Sequence, residues 1–570
     1  MTDIIERPRY DRRAFVGYFA SIGLGATLLP GLLWARASRG EEITTATIAS
    51  AEELAGVTFA DDERQLMVNG LKSQEKLIET LHTVVLPNAV APAVSFNAVL
   101  PGVVLDTKQR RMVRGRVSLS DMPSDPEALA FLPVTQLAEL VRRRKVTSTQ
   151  LTTMYLTRLK KYDPVLHCVV TLTEERALAQ AKAADAEIAR GKYRGPLHGI
   201  PWGAKDLLAV KGYPTTWGAK PYETQTIDED ATVVQRLDAA GAVLVAKLSL
   251  GALAMGDVWF GGMTRNPWKP DQGSSGSSAG PASATSAGLV GFSVGSETLG
   301  SISSPSTRCG VTGCRPTFGR VPRTGAMALS WSMDKLGPLC RSVEDCALVL
   351  DIIRGPDGKD GTVHDAAFNW DATVKPSSLR VGYLKSAFDQ TQRHRTKAFD
   401  DAALGVLRKL GVDLMPVELP EFPWRAMSLI LQAEAAAAFD ELTRSGRDRE
   451  LVQQDEGAWP NTFRVARFIP AVEYVNANRV RTQAMEAMRK LMSTVDVIVT
   501  PTGGIQLTVT NLTGHPAVIV PNGFNEDGTP VSITFLGDLF GEAKMLALAY
   551  AYQQATGFQL KHPALNGVRG

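Results

Sequence analysis

Three side chains could give this sequence a reaction. Lys205 lies in Gly199-Ile200-Pro201-Trp202-Gly203-Ala204-Lys205-Asp206, Ser277 in Gly273-Ser274-Ser275-Gly276-Ser277-Ser278-Ala279-Gly280, and Ser301 in Gly295-Ser296-Glu297-Thr298-Leu299-Gly300-Ser301-Ile302. A serine hydroxyl is a weak nucleophile and needs a base within reach of its proton. Lysine can be that base only when neutral, and burial away from water favours the neutral amine. The neighbours of Lys205 suit such a site: Ile200, Pro201 and Trp202 precede it, and Leu207 and Leu208 follow. Asp206 is the one adjacent charge, and it would oppose the shift if it faced the same way. A second serine between lysine and nucleophile would relay the proton, because one hydroxyl both donates and accepts.

The approach to Ser301 has its own logic. Leu289–Val294 reads as a buried strand ending at Gly295, with a tight turn after it. Successive N–H groups of such a turn can face one small concavity and hold an oxyanion.

The combination resembles the amidase signature family, and the likeness runs from near Phe131 to Pro563. It also takes in Pro214-Thr215-Thr216, Arg265-Asn266-Pro267-Trp268 and Gly514-His515-Pro516-Ala517. The resemblance implies a Ser-cisSer-Lys triad, with Ser301 as nucleophile, Ser277 as relay and Lys205 as base. It implies an oxyanion hole from the N–H groups of Thr298, Leu299, Gly300 and Ser301. Met255, in Ala254-Met255-Gly256, matches a segment whose carbonyl lines the substrate channel, and Trp259 and Ser278 complete the expected substrate-binding set. Three positions depart from the family pattern. Leu299 stands where glycine is usual, Glu297 where aspartate is usual, and Ser303 where arginine is usual. An acid–arginine contact has therefore been lost or replaced.

The implied activity is hydrolysis of linear carboxylic amides through an acyl-enzyme, with aryl or acyl amides, carbamates and esters all open as substrates. Transfer of the amide group, in the manner of an amidotransferase, is the alternative, and a fold kept without catalysis is a third. A fourth reading takes Gly276-Ser277-Ser278-Ala279-Gly280 as the G-x-S-x-G elbow of an α/β-hydrolase esterase, with Ser278 as nucleophile and His515 downstream. That elbow needs a buried strand directly before it, whereas Asn266–Gly273 carries Pro267 and Pro270 and no apolar run.

The 570 residues can bury a sizeable core, and with 44% hydrophobic and 21% charged residues the chain reads as a folded enzyme rather than a disordered one. Net charge is +3, and the first 37 residues hold five arginines against three acidic residues, so the body is close to neutral. Such a body offers no basic field for nucleic acid or an anionic membrane. No Cys-x-x-Cys, His-Glu-x-x-His, Walker A or dinucleotide fingerprint occurs, and no cofactor or metal is expected. The expected partner is a small-molecule amide; a homodimer stays open.

Arg12-Arg13, the uncharged run from Ala14 to Leu33 and Ala35-Arg36-Ala37 look like a twin-arginine export signal over residues 1–37. Cleavage near Ala37 would leave a periplasmic or extracellular enzyme with no stable membrane association; an uncleaved anchor is the alternative. Cys168, Cys309, Cys314, Cys340 and Cys346 are too odd in number to pair fully and read as buried thiols.

The expected architecture is α/β: a single large catalytic domain over 131–570, with a mixed central sheet and helices on both faces, preceded by a helical and extended arm over 38–130. In the arm, Asp61 and Asp62 can cap a helix bearing Leu66, Met67, Leu71, Leu77 and Ile78. Strands are expected at Ala242–Ala246, Leu289–Val294, Asp496–Thr500, Ala517–Val520 and Val531–Leu536, and helices at Leu137–Arg143, Glu175–Arg190, Leu429–Leu442 and Ala543–Thr556. The segment Gly503–Asn511 reads as a short loop that widens the mouth of the site.

Overall fold

Runs of small and branched apolar residues make the strands. In the computed structural model, Val169–Leu172 (β1), Pro201–Lys205 (β2), Val243–Leu248 (β3), Phe292–Glu297 (β4), Thr312–Arg315 (β5), Lys335–Cys340 (β6), Val381–Leu384 (β7), Leu414–Val417 (β8), Val497–Pro501 (β9), Ala517–Phe524 (β10) and Pro530–Gly537 (β11) form one eleven-stranded sheet. The order is β1-β3-β2-β4-β6-β5-β10-β11-β9-β7-β8. The structure describes residues 43–55, 58–84, 87–90, 92–117, 126–390 and 394–565. The expected export signal, residues 1–37, lies outside them. No described helix is long and apolar enough to cross a membrane.

The sheet is mixed. β2 runs parallel to β3 and β4, and β7 runs parallel to β8 and β9, while the other neighbours are antiparallel. Every residue of β2, β3, β4 and β6 is buried, which requires cover on both faces. Near β3, Leu156 and Leu159 of helix Ser148–Leu166 and Ala177 and Ala181 of helix Glu174–Ala189 pack with Val243 and Val245. A capping box starts the first of these helices, the Thr147 side chain accepting the Gln150 N–H and the Gln150 side chain accepting the Thr147 N–H. Near β9, Met488 and Met492 of helix Ala471–Met492 and Val509 and Leu512 of helix Ile505–Thr513 pack with Ile498, Ile519 and Leu536.

The expected elements fall close to the observed ones, with instructive exceptions. The strand expected to end at Gly295 begins at Phe292 and continues to Glu297. Gly295 is a close-approach residue inside it: a Cβ there would lie 2.6 Å from Ser278 Oγ and 2.8 Å from Leu339 Cδ1. The single helix expected over Leu429–Leu442 is two, Leu429–Ala438 and Asp440–Arg444, because Phe439 leaves helical geometry at φ −122°, ψ 26°. Gly503–Asn511 is not a loop; most of it belongs to helix Ile505–Thr513. Helix Asp61–His82 forms as expected, yet Leu66 and Leu77 on it are exposed.

The described residues fall into two units. One comprises those up to Pro87 with Arg464–Glu473, and the other Asn88–Phe463 with the chain from Tyr474 onward. The arm expected over 38–130 thus has residues in each of the two units. Residues after 88 are tied to the large unit: Asn88 bonds both the N–H and the carbonyl of Ala328, Gln109 bonds Phe368, and Gly115 N–H donates to Glu344.

Close approach at Gly295 makes a stability test. Gly295→Ala should lower stability by about 1–3 kcal/mol, read as a lower denaturation midpoint. Gly70→Ala, in helix Asp61–His82 with nothing within 4 Å of its Cβ position, should raise it by up to about 1 kcal/mol.

Candidate active site

Lys205 ends β2, a strand buried along its whole length. Its Nζ meets three hydroxyls: Ser277 Oγ at 2.8 Å, Ser296 Oγ at 2.9 Å and Ser278 Oγ at 3.1 Å. It is fully buried and has no ion-pair partner among the described residues. Burial pushes its ammonium well below the usual lysine range, while the nearby charges of Asp334 and Glu297 act the other way. Asp206 does not oppose the shift. The strand pleat turns it away, to the N–H and hydroxyl of Thr216 and to an ion pair with Lys247 at 2.6 Å.

The loop before helix Ala279–Ser286 carries Ser277, and the Gly276–Ser277 peptide bond is cis. Gly276 admits no side chain, since a Cβ would lie 1.7 Å from the Gly256 carbonyl oxygen. Asp257 holds the same loop by accepting the Ser275 N–H at 2.7 Å. The two serine segments are joined through the backbone, Ser278 N–H donating to the Ser301 carbonyl at 3.0 Å.

Ser301 lies in the turn between β4 and helix Ser303–Cys309, with 9% of its surface exposed. Its hydroxyl has no hydrogen-bond partner among the described residues, so Ser277 and Ser301 are not directly bonded here. Catalytic hydrogen bonds commonly tighten only around substrate. The N–H groups of Thr298, Leu299, Gly300 and Ser301 likewise meet no protein acceptor among the described residues. Gly300 has φ +95°, a conformation that favours glycine, so the turn requires glycine at this position.

The turn is held by Glu297 and by residues the sequence did not single out. Asp334 Oδ1 accepts the Thr298 hydroxyl at 2.6 Å. Glu297 Oε2 accepts the N–H groups of Ile302 and Ser303, and its Oε1 accepts Arg315 Nη1 and Asn511 Nδ2, each at 2.8 Å. Burial pushes the Glu297 carboxyl up, but Arg315, with Asn511 and Lys335, holds it down at about 2, so it stays a carboxylate.

Beside the turn lies a cavity of about 470 Å³ whose wall includes Ser296, Thr298, Asp334, Leu207, Ala254, Met327 and Trp331, together with Asn88 and Pro92–Ser95. Of the expected substrate-binding residues, neither Met255 nor Trp259 is on this wall. Trp259 is buried, its indole N–H donating to the His167 carbonyl. Ser278 is fully buried, its hydroxyl accepting from Lys205 and from Ser296 N–H and donating to the Ser296 carbonyl, so it is already committed to supporting the site. This removes the elbow reading, and His515, pushed down to about 3 by burial, has its Nδ1 on Thr513 instead. Among the described residues no His, Cys, Asp or Glu group is arranged to hold a metal. All five cysteines are buried and free.

A serine nest beside a buried lysine defines a class, and the comparisons agree with it. The family model described as Amidase matches residues 150–508, and the chain belongs to the amidase signature family. It is 33% identical over 483 residues to a glutamyl-tRNA(Gln) amidotransferase subunit from Acinetobacter baumannii, covering 98% of that protein with 76% of this chain. Among solved structures it resembles the peptide amidase of Stenotrophomonas maltophilia, at 29% identity and TM-score 0.68 over 77% of this chain and 99% of that one. It also resembles the corresponding glutamyl-tRNA(Gln) amidotransferase subunit from Thermotoga maritima, at 26% identity and TM-score 0.63 over 75% of this chain and 96% of that one.

Because only the neutral amine accepts a proton, kcat/KM should rise with pH and level off well below about 10.4, where an ordinary lysine titrates. Lys205→Arg, which keeps the charge and stays protonated, should be inactive across the whole range. Activity that falls as pH rises, with the fold intact, would remove lysine as the base.

Proposed function

We propose that the chain opens the C–N bond of a carboxamide through an acyl-enzyme on Ser301. The observation that carries this is the buried, unpaired Lys205 with Ser277 bonded to its Nζ, close to four free N–H groups in the turn of Ser301. Ser301 Oγ attacks the carbonyl carbon, its proton passes to Ser277, and the Ser277 proton passes to Lys205. The N–H groups of residues 298–301 hold the oxyanion. As the tetrahedral adduct collapses, the C–N bond breaks and the proton returns through Ser277 to the leaving nitrogen. Water then attacks the acyl-Ser301 ester, releasing the acid and restoring the hydroxyl.

Two destinations for the nitrogen follow. The amidotransferase relatives, matched over 98% of their length, back transfer to an acceptor better than the free-standing hydrolysis read from sequence. The arginine pair Arg12-Arg13 and the near-neutral body favour an exported amidase on a small amide instead, as does the likeness to a peptide amidase. The common step is the same in both.

Fluorophosphonate labelling followed by peptide mapping should place the adduct on Ser301, and Ser301→Ala should abolish it; an adduct on another serine overturns the proposal. Ammonia or amine released from simple carboxamides by the chain alone supports the amidase, whereas release only with tRNA, ATP and partner proteins supports transfer. N-terminal sequencing of the secreted protein should begin near residue 38, and a mature chain starting upstream of Ala14 rules out cleavage.

A further inference from the structure

The turn from 298 to 301 is useful only if its peptide planes stay fixed, because a donor that must reorient at the moment of reaction loses most of its effect. No partner within the turn fixes them. The turn is held from outside, at both ends. At its entry the Thr298 hydroxyl is bonded to Asp334, whose other oxygen accepts the N–H groups of Leu329 and Ser330 at 2.8 and 2.9 Å. At its exit Glu297 reaches across the turn from the residue before it, so that Oε2 accepts Ile302 N–H and Ser303 N–H at 2.9 Å and the Ser303 hydroxyl at 2.8 Å. One carboxylate thus closes the loop of residues 297–303 on itself.

That closure needs an ionised acid, because five donors converge on Glu297 and a protonated carboxyl would present one of its own. A buried carboxylate needs a cation. The family pattern would put it on the helix that follows the nucleophile, at position 303, but serine stands there. The cation here is Arg315 at the end of β5, fully buried and 2.8 Å from Glu297 Oε1. Its other nitrogen Nη2 is anchored to the Thr510 hydroxyl at 2.8 Å and the His515 carbonyl at 3.0 Å. Asn511 of helix Ile505–Thr513 supplies the last donor. Glutamate is one methylene longer than aspartate, and that length lets one residue serve the turn with one oxygen and the sheet with the other.

We propose that Glu297 and Arg315 are positioning residues for the oxyanion turn, an acid–arginine pair whose cation has moved from the nucleophile's helix to the sheet. The proposal rests on Ser301 being the nucleophile. Neither residue touches the reacting atoms; each acts by setting the peptide planes of residues 298–301.

The test combines the rate of fluorophosphonate labelling at Ser301, the fraction of molecules finally labelled, and kcat and KM for a chromogenic amide. Glu297→Asp keeps the charge but shortens the reach. It should slow labelling and lower kcat by about 10²–10³, the loss typical of one oxyanion donor, with KM within about threefold and nearly every molecule still labelled in the end. Adding Ser303→Arg to Glu297→Asp supplies a cation within the shorter acid's reach from the turn's own helix and should recover about tenfold of that loss. Wild-type labelling rates in Glu297→Asp, a loss matched by an equal fall in the labelled fraction, or no recovery in the double variant would each overturn the proposal. Should Glu297→Asp fail to fold, Arg315→Lys carries the test, since it keeps a buried cation while losing the forked contacts. It should label about tenfold more slowly with a full labelled fraction, and a wild-type rate overturns the proposal. If the wild-type protein is labelled at a residue other than Ser301, it is the function proposed above that fails.

Discussion

Two fully buried lysines lie on neighbouring strands but on opposite faces of the sheet, and the difference between them organises the site. Lys205 is in register with Leu248 and Ala204 with Lys247, so the two lysine side chains leave the sheet on opposite faces. Lys247 has a carboxylate, Asp206, at 2.6 Å. Lys205 has only hydroxyls. A buried ammonium without a counter-ion is unstable relative to the neutral amine, and an amine with its lone pair free is a base. The pairing of Asp206 with Lys247 keeps the carboxylate next in sequence to Lys205 from stabilising the wrong protonation state.

The rest of the local fold follows from crowding three segments around one amine. Gly276 packs on the Gly256 carbonyl, and Gly295 packs on Ser278. Each lacks a side chain because backbone and hydroxyls must come within hydrogen-bond range of Lys205. β4 continues past Gly295 for the same reason: the two extra residues bring Ser296 to Lys205 and Glu297 to Arg315. The charged groups then separate into two layers. Glu297 and Arg315 sit under the turn and pair with each other, while the amine stays apart from any ion pair.

The local signals were legible in the sequence where chemistry and spacing coincide. Lys205, Ser277 and Ser301 stand out because a small-residue loop, a turn and an apolar-flanked lysine occur together, and the α/β alternation marks the sheet. What sequence could not show were partners decided by packing across long separations. Arg315 as the counter-ion of Glu297, Asn511 as a donor and Asp334 under Thr298 are 18, 214 and 36 residues from their partners. Ser278 was expected to meet the substrate, yet helix Ala279–Ser286 begins directly after it and draws it inside. Trp259 looked like a pocket wall, and its indole N–H found a buried carbonyl instead. The turn-like Gly503-Gly504 pair concealed the helix that begins at Ile505, because the apolar spacing Leu507, Val509, Leu512 is short and mixed with threonines.

The most direct test of this account is the charge on one nitrogen. In protein labelled with ¹⁵N at lysine Nζ, with Lys205→Met to assign the resonance, the Lys205 signal should be that of a neutral amine near pH 8 and should titrate well below about 10.4. A Lys205 signal that remains ammonium up to that value would contradict the account at its base.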